Sequence, residues 1–227
     1  MNSAEVLALL EENKNPRGIA NWDKLEDSLS SFGIGLTQLR KLAKKVGRNH
    51  DLAQELWASD NYDAKVIGLL IGEPKKLTRE QAETQVEQLN HGMLAHVFSS
   101  CDATLAKASF SAELASDWIH SDDPIRRACG YGLLYEESKN KKKSAPEEAW
   151  FLAHVAHMSA TWREEDTDGR MAIAGALIGV GKRTKAINAA ALEVATAIGP
   201  ITFSDTCDAF DARKHLVSPA LKKKLGI

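Results

Sequence analysis

Two segments of the chain, residues 52–71 and residues 114–133, align with each other without a gap, apart from one slipped apolar position near the end. Each segment has an apolar-periodic helix, a polar Ser-Asp turn and a second helix that carries a cation early. Such a repeated helix pair is the building unit of an α-solenoid. Five aligned pairs are identical: Leu52/Leu114, Ala53/Ala115, Ser59/Ser121, Asp60/Asp122 and Gly68/Gly130.

A third, looser copy follows, in which Arg170 aligns with Arg126 and Ala172 with Ala128. An acidic turn followed by Arg and a small residue is the pattern of HEAT repeats. Helix signals continue along the chain, and residues 200–203 are the only strand candidate. The sequence therefore predicts an all-α, right-handed α-solenoid of HEAT/ARM-like antiparallel helix pairs, forming a single domain over residues 1–227.

Several capping signals predict where individual helices begin. Thr78 and Gln81 have the spacing of a capping box, and Asp123 precedes Pro124 at an expected first helical position. Ser144 and Glu147 repeat the capping-box spacing around Pro146, which predicts a helix from residue 146. A further short helix is expected over residues 102–107.

Cysteine usage and hydropathy limit where the protein works. Cys101, Cys129 and Cys207 are odd in number and form no CxxC pair, and the chain shows no signal-peptide pattern. These features predict a reducing cytoplasmic environment. No apolar run approaches the roughly 18 residues of a transmembrane span, so no membrane association is expected.

The net charge gives no support to a nucleic-acid partner, because 29 basic and 31 acidic side chains sum to −2. Their distribution is more informative. Cations cluster at helix ends and turns, whereas the acidic residues gather elsewhere, which predicts one more positive face. The helix dipole alone favours cations near helix C-termini, so it explains about half of these clusters.

Four runs of sequence carry a resemblance to a known family: GIGLTQLRKLAKK, LAQELWASDNYDAKVIGLLIGEP, HVFSSCDATLA and WIHSDDPIRRA. They resemble the DNA alkylation repair family of HEAT-like-repeat proteins, most clearly over residues 32–134. The resemblance implies a monomeric protein that grips duplex DNA in a basic groove and excises cationic alkylpurines, a base excision repair reaction that needs no metal or cofactor. Phosphate contacts are then expected from Arg40, Lys44, Arg126, Lys182 and Arg183.

The resemblance also implies a catalytic cluster. Family members have a W-D-x-x-D run joined by an Arg on a later helix; here Asp102 matches the second Asp, and Arg127 matches the Arg if one gap is allowed. Phe98 stands at the Trp position and Ser99 at the first Asp. A carboxylate stabilises the positive charge that develops on the sugar as the base leaves. An aromatic face attracts a cationic base, Trp more strongly than Phe, and the Arg would hold a phosphate.

Each of these residues also has a structural interpretation. One of Arg126 and Arg127 is expected to bind Asp122 or Asp123, as HEAT arginines do, while Phe98 could belong to the core. Asp102 could cap the helix expected after it.

His154 and His157 lie three residues apart, a spacing that matches no compact metal-ligand motif, so a packed helix face and no metal site are predicted. Two functions remain open at this stage. One is a DNA-binding protein that excises alkylated bases, and the other is a non-catalytic scaffold for nucleic acid or protein.

Overall fold

The computed structural model describes residues 1–25, 28–90, 92–202 and 208–227. Within these residues every regular element is a helix, which confirms the all-α prediction. The two 3-10 helices are Asp23–Leu25 and Leu105–Lys107. The α-helices are α1 (Ser3–Glu12), α2 (Pro16–Trp22), α3 (Leu36–Val46), α4 (His50–Trp57), α5 (Tyr62–Ile71), α6 (Arg79–Val86), α7 (Met93–Ser99), α8 (Ser111–Ile119), α9 (Pro124–Glu137), α10 (Glu148–Thr161), α11 (Thr167–Val180), α12 (Lys185–Ile198), α13 (Ala212–Leu216) and α14 (Pro219–Leu225).

The described residues form two compact units. Unit 1 contains Met1–Gln88 and Asp102–Ser109, and unit 2 contains Leu89–Cys101 and Phe110–Ile227. The prediction of a single domain over residues 1–227 stays a prediction.

Unit 1 contains the first repeat copy as the helix pair α4 and α5. Leu52 and Leu56 of α4 are buried, and so are Val66 and Ile67 of α5. Asp63, on α5, is fully buried, and its carboxylate accepts hydrogen bonds from the backbone N–H groups of Phe32 and Ile34, at 2.7 and 3.1 Å. These bonds satisfy a buried charge and fix the chain that leads into α3.

Unit 2 contains the second copy as α8 and α9, and α9 packs in turn against α7 and α11. Its core is continuous from Ile119 and Tyr131 through Phe151 and Leu177 to Leu216, all 1% exposed or less. Neighbouring pairs thus cover each other's apolar faces, as stacked helix pairs must.

Most of the predicted helix starts agree with the structure. Thr78 and Gln81 form the predicted capping box at α6, and Asp123 caps α9 with Pro124 at its first position. The start predicted at residue 146 is wrong, because Ala145 bonds back to Lys142 in a turn, and α10 begins only at Glu148.

Two other predictions about local structure need correction. The helix expected over residues 102–107 is only a 3-10 turn, since Cys101 and Asp102 have φ values of 58° and 64°, which no right-handed helix accommodates. The strand candidate at residues 200–203 is reduced to an isolated antiparallel bridge between Ile201 and Phe210. Its last residue, Phe203, lies outside the described residues, as does Cys207.

The paired glycines of the repeat mark where the helices of each pair approach most closely. A Cβ on Gly68 would lie 2.7 Å from the carbonyl oxygen of Ala53, and one on Gly130 would lie 2.7 Å from the backbone nitrogen of Ile119. Both obstacles are backbone atoms, which cannot rotate away. The identity of this pair in the sequence therefore has a steric cause.

We expect Gly68→Ala and Gly130→Ala each to lower the free energy of unfolding by about 1–3 kcal/mol, as overpacking does. Gly175→Ala is the matched control, because a Cβ there has no neighbouring atom within 4 Å and α11 continues through it. That control should be neutral or stabilising by about 0.5–1 kcal/mol, since Ala is the better helix former. Urea unfolding midpoints measure all three, and equal midpoints would contradict the close approach.

Candidate functional site

Phe98 lies near the end of α7 in unit 2 and belongs to the core. Its side chain is 0% exposed and stacks on Trp118 of α8, with the ring centroids 6.0 Å apart. A ring in this position has no open face for a nucleobase. The expectation that Phe98 takes the stacking role of the family's Trp is therefore not met, and the core alternative describes the residue.

Ser99, at the family's first Asp position, is also committed to packing. It is 1% exposed, and its hydroxyl donates to the carbonyl oxygen of Ala95 at 3.2 Å. A Cβ on Gly132 of α9 would lie 2.2 Å from this hydroxyl oxygen, so α9 closes the space around it. The site has no room for the longer aspartate side chain.

Asp102 belongs to unit 1 and is exposed. Cys101 and Asp102 are the only residues other than glycine with positive φ in the described ranges 1–25, 28–90, 92–202 and 208–227. This conformation costs about 1–3 kcal/mol for a residue other than glycine, and Asp tolerates it better than most. The Asp102 carbonyl accepts a hydrogen bond from Lys107 Nζ. The 3-10 helix that follows, Leu105–Lys107, has Thr104 at its N-cap and no side-chain cap hydrogen bond, so the capping alternative is wrong.

The residues just before Asp102 form a hydrogen-bonded cluster that the sequence analysis did not find. The hydroxyl of Ser100 donates to the His96 carbonyl at 2.6 Å and lies 3.3 Å from His96 Nδ1. The Cys101 thiol lies 3.4 Å from His96 Nε2, so the imidazole ring contacts both neighbouring side chains. The cluster fixes the chain where it turns into the positive-φ conformation.

Arg127, predicted to hold a phosphate, instead spans two turns within unit 2. Its Nε and Nη2 donate to the two carboxylate oxygens of Glu165 at 2.7 and 3.0 Å. Its Nη1 donates to the carbonyls of Ser121 and Asp122 at 3.0 and 2.9 Å. Glu165 is 4% exposed, and its hydrogen bond raises the pKa of Arg127 above the ordinary value. Arg127 is thus the structural arginine of this repeat.

The acidic partner of that arginine differs from the one expected. Asp122 contributes only its backbone carbonyl, and the carboxylate of Asp123 caps α9 by accepting from the backbone nitrogens of Ile125 and Arg126. The carboxylate that binds Arg127 comes from Glu165, in the turn before α11.

The side chains predicted to contact phosphates differ in their exposure to solvent. Lys44 on α3 and Lys182 after α11 are exposed, while Arg40 is half-buried. Arg126 is half-buried and lies 5.9 Å from the Trp118 ring centroid. Arg183 caps the end of α9, because its Nη1 donates to the carbonyls of Ser138 and Asn140 at 2.8 and 3.1 Å. The role predicted for Arg183 therefore conflicts with its place in the fold.

One group of cations was missed by the sequence analysis, although the run LKKKL at residues 221–225 could have signalled it. Lys222, Lys223 and Lys224 are exposed on α14, and Lys224 Nζ donates to the carbonyl of Lys182 at 2.8 Å. This contact joins the C-terminal lysines to Lys182, one of the residues predicted to contact phosphate.

The histidines of α10 are part of a packed face. His154 is 5% exposed, lies against the Trp150 ring at 4.4 Å and contacts the Ser116 hydroxyl at 3.2 Å. Burial lowers the pKa of His154 to about 4, so the ring is neutral at physiological pH. Among the described residues no group of three His, Cys, Asp or Glu side chains could hold a metal ion. In the same residues no helix is both long and apolar enough to cross a membrane.

The arrangement of helices is that of a HEAT-like repeat protein. It matches the solved structure of a protein from a family related to the HEAT-like repeat DNA glycosylases, with affinity for branched DNA structures. The TM-score is 0.84 and the sequence identity 22%, and the match covers 100% of this chain and 97% of that one.

Comparison of the sequence with known families identifies the family. The model of the DNA alkylation repair enzyme family matches residues 6–206, and the chain belongs to that family. Two uncharacterized proteins, from Listeria innocua and Listeria monocytogenes, are each 28% identical over 199 residues, which covers 84% of this chain and 82% of each relative.

We expect Arg127→Met to lower the free energy of unfolding by about 3 kcal/mol, because it leaves the buried Glu165 carboxylate without its partner. Glu165→Met should cost less, because the Arg127 guanidinium is partly exposed and keeps its two carbonyl partners. The double variant should recover part of that loss. Arg163→Met is the control, since this exposed arginine lies over the Trp162 ring at 4.5 Å and should contribute about 1 kcal/mol or less. Chemical unfolding of the four variants gives the answer, and additive losses in the double variant would contradict the pairing.

Proposed function

We propose that the protein binds the phosphate backbone of DNA. We also propose that it does not excise bases through Phe98, Asp102 and Arg127, the catalytic cluster that the family resemblance implied. The observation that carries the proposal is the likeness over 100% of the chain to a protein of a family with affinity for branched DNA structures. The family match over residues 6–206 gives further support. Monomeric binding of duplex DNA in the cytoplasm remains part of the proposal.

The exposed cations support phosphate binding. Helix α3 buries Leu39, Leu42 and Ala43 on one face and exposes Lys41, Lys44 and Lys45. In the part of the chain that the structure describes, no carboxylate lies within 4.0 Å of these three ammonium groups. Unpaired exposed cations can neutralise phosphates and release the counterions of DNA. The net charge of −2 therefore does not prevent binding, because the cations are concentrated locally.

The state of the predicted catalytic residues favours binding over excision. Phe98 is buried, and every nitrogen of the Arg127 guanidinium donates to a protein oxygen. Phe98 cannot contact a DNA lesion without leaving the core, and four of the five N–H donors of Arg127 already serve the fold. Excision is the competing function, and the exposed carboxylate of Asp102 is the observation that favours it, because it could stabilise a developing positive charge.

We expect the wild-type protein to bind a four-way DNA junction and a linear duplex at 50 mM salt, with affinity that falls steeply as salt increases. The logarithm of the binding constant should fall with the logarithm of salt by about 0.9 per phosphate contact. Fluorescence anisotropy with labelled DNA measures this slope.

Two junctions of unrelated sequence serve as controls and should bind alike, since phosphate contacts carry no sequence information. Affinity that is independent of salt, or no binding at 50 mM salt, would rule out the proposed function.

A further inference from the structure

We propose that five lysines from two separate segments of unit 2 form a surface that contacts DNA phosphates, an inference that rests on the proposed DNA binding. We call this surface the lysine cluster. Its members are Lys182, Lys185, Lys222, Lys223 and Lys224, and all five side chains are exposed.

The sequence builds the cluster by burying one residue of α14. Leu221 is 6% exposed, and Leu216 of the preceding helix is 1% exposed. Ser218 and Pro219 start α14, and the buried Leu221 fixes which side of the helix faces the core. The lysines that follow Leu221 consequently lie in solvent, where their charges need no buried partner.

Two contacts bring the end of α14 to the start of α12. Lys224 Nζ donates to the carbonyl of Lys182 at 2.8 Å and keeps two further N–H donors. A Cβ built on Gly226 would lie 3.8 Å from both Cε and Nζ of Lys185. Lys182 and Lys224 are 42 residues apart in sequence. The two segments are therefore neighbours in the fold, with Lys182, Lys185 and Lys224 beside one another.

The helix dipole explains only part of this arrangement. Lys222, Lys223 and Lys224 lie in the last turn of α14, where the dipole favours cations. Lys182 follows the C-terminus of α11, where the dipole also favours a cation, but Lys185 is the first residue of α12. The dipole opposes cations at a helix N-terminus, so Lys185 adds positive charge where the helix is already positive.

The cluster also lacks the carboxylates that would neutralise it. In residues 1–25, 28–90, 92–202 and 208–227, no carboxylate lies within 4.0 Å of any of the five ammonium groups. The carboxylate of Asp211, close by in sequence, is bound by Arg213 at 2.8 Å. Like charges on neighbouring residues repel one another, and binding of a polyanion relieves the repulsion.

A DNA backbone is the occupant that fits these observations best. Lysines act as point charges on flexible stems, so they bind phosphates without demanding a fixed geometry. Duplex DNA offers one negative charge per about 1.7 Å of its axis, which several neighbouring lysines can engage together. The cluster then carries the phosphate contacts that Arg127 and Arg183 cannot make.

The test compares two triple variants that remove the same charge from unit 2. One is Lys222→Gln, Lys223→Gln and Lys224→Gln, and the control is Lys141→Gln, Lys142→Gln and Lys143→Gln, in an exposed turn. Binding to the labelled four-way junction is measured for each between 50 and 200 mM salt, at temperatures where circular dichroism shows both folded.

The lysine-cluster variant should reduce the salt slope by about 0.9 for each lost phosphate contact, and so by up to about 3, with a loss of roughly 100-fold in affinity at 50 mM salt. The control variant should keep the wild-type slope. If the α14 variant fails to fold, Lys182→Gln with Lys185→Gln decides, and it should lower the slope by up to about 2.

Two outcomes overturn the inference while leaving DNA binding intact. In one, the lysine-cluster variant binds as wild type does, which would assign the surface to another partner such as an acidic protein. In the other, both triple variants lose affinity equally, which would show that only overall charge matters. If the wild-type protein does not bind DNA at all, the proposed function fails, and this inference fails with it.

Discussion

The ion pair between Arg127 and Glu165 ties the turn before α9 to the turn before α11, and much of unit 2 depends on it. Glu165 is almost fully buried, and a buried carboxylate without a partner would cost several kcal/mol. Arg127 supplies that partner through two parallel hydrogen bonds and uses its remaining nitrogen on two backbone carbonyls. The turns are thereby held in register, so that α8, α9 and α11 can share one core.

This ion pair commits Arg127 to the fold, and the departures at residues 98 and 99 are likewise committed to packing. Phe98 stacks on Trp118 inside unit 2, and Ser99 lies where the backbone of Gly132 leaves no room for a longer side chain. The residues that depart from the family's catalytic run are thus the ones that fill the core. In the function that we propose, phosphates are bound instead by exposed lysines on α3 and at the C-terminal end of the chain.

The sequence predicted those features that depend on local chemistry or on the repeat. The helix pairs, the capping box at Thr78 and the cap at Asp123 all follow from short-range rules and are present. The sequence could not predict that Glu165 binds Arg127, because only the fold brings the turn before α11 to that arginine. The run at Lys222, Lys223 and Lys224 is visible in the sequence, but only the fold shows that it lies beside Lys182. The helix expected at residues 102–107 failed because two positive φ angles interrupt it, although neither residue is a glycine.

We propose that the residues at the family's catalytic positions serve the fold, and that the protein therefore binds DNA without excising bases. Incubation of the wild-type protein with methylated duplex DNA, at concentrations where anisotropy shows the DNA bound, tests this most directly. Chromatography then measures the release of free 3- and 7-methylpurines. We expect no more free methylpurine than DNA alone releases in buffer. Release by the wild-type protein that disappears in Asp102→Asn would contradict it and assign catalysis to that carboxylate.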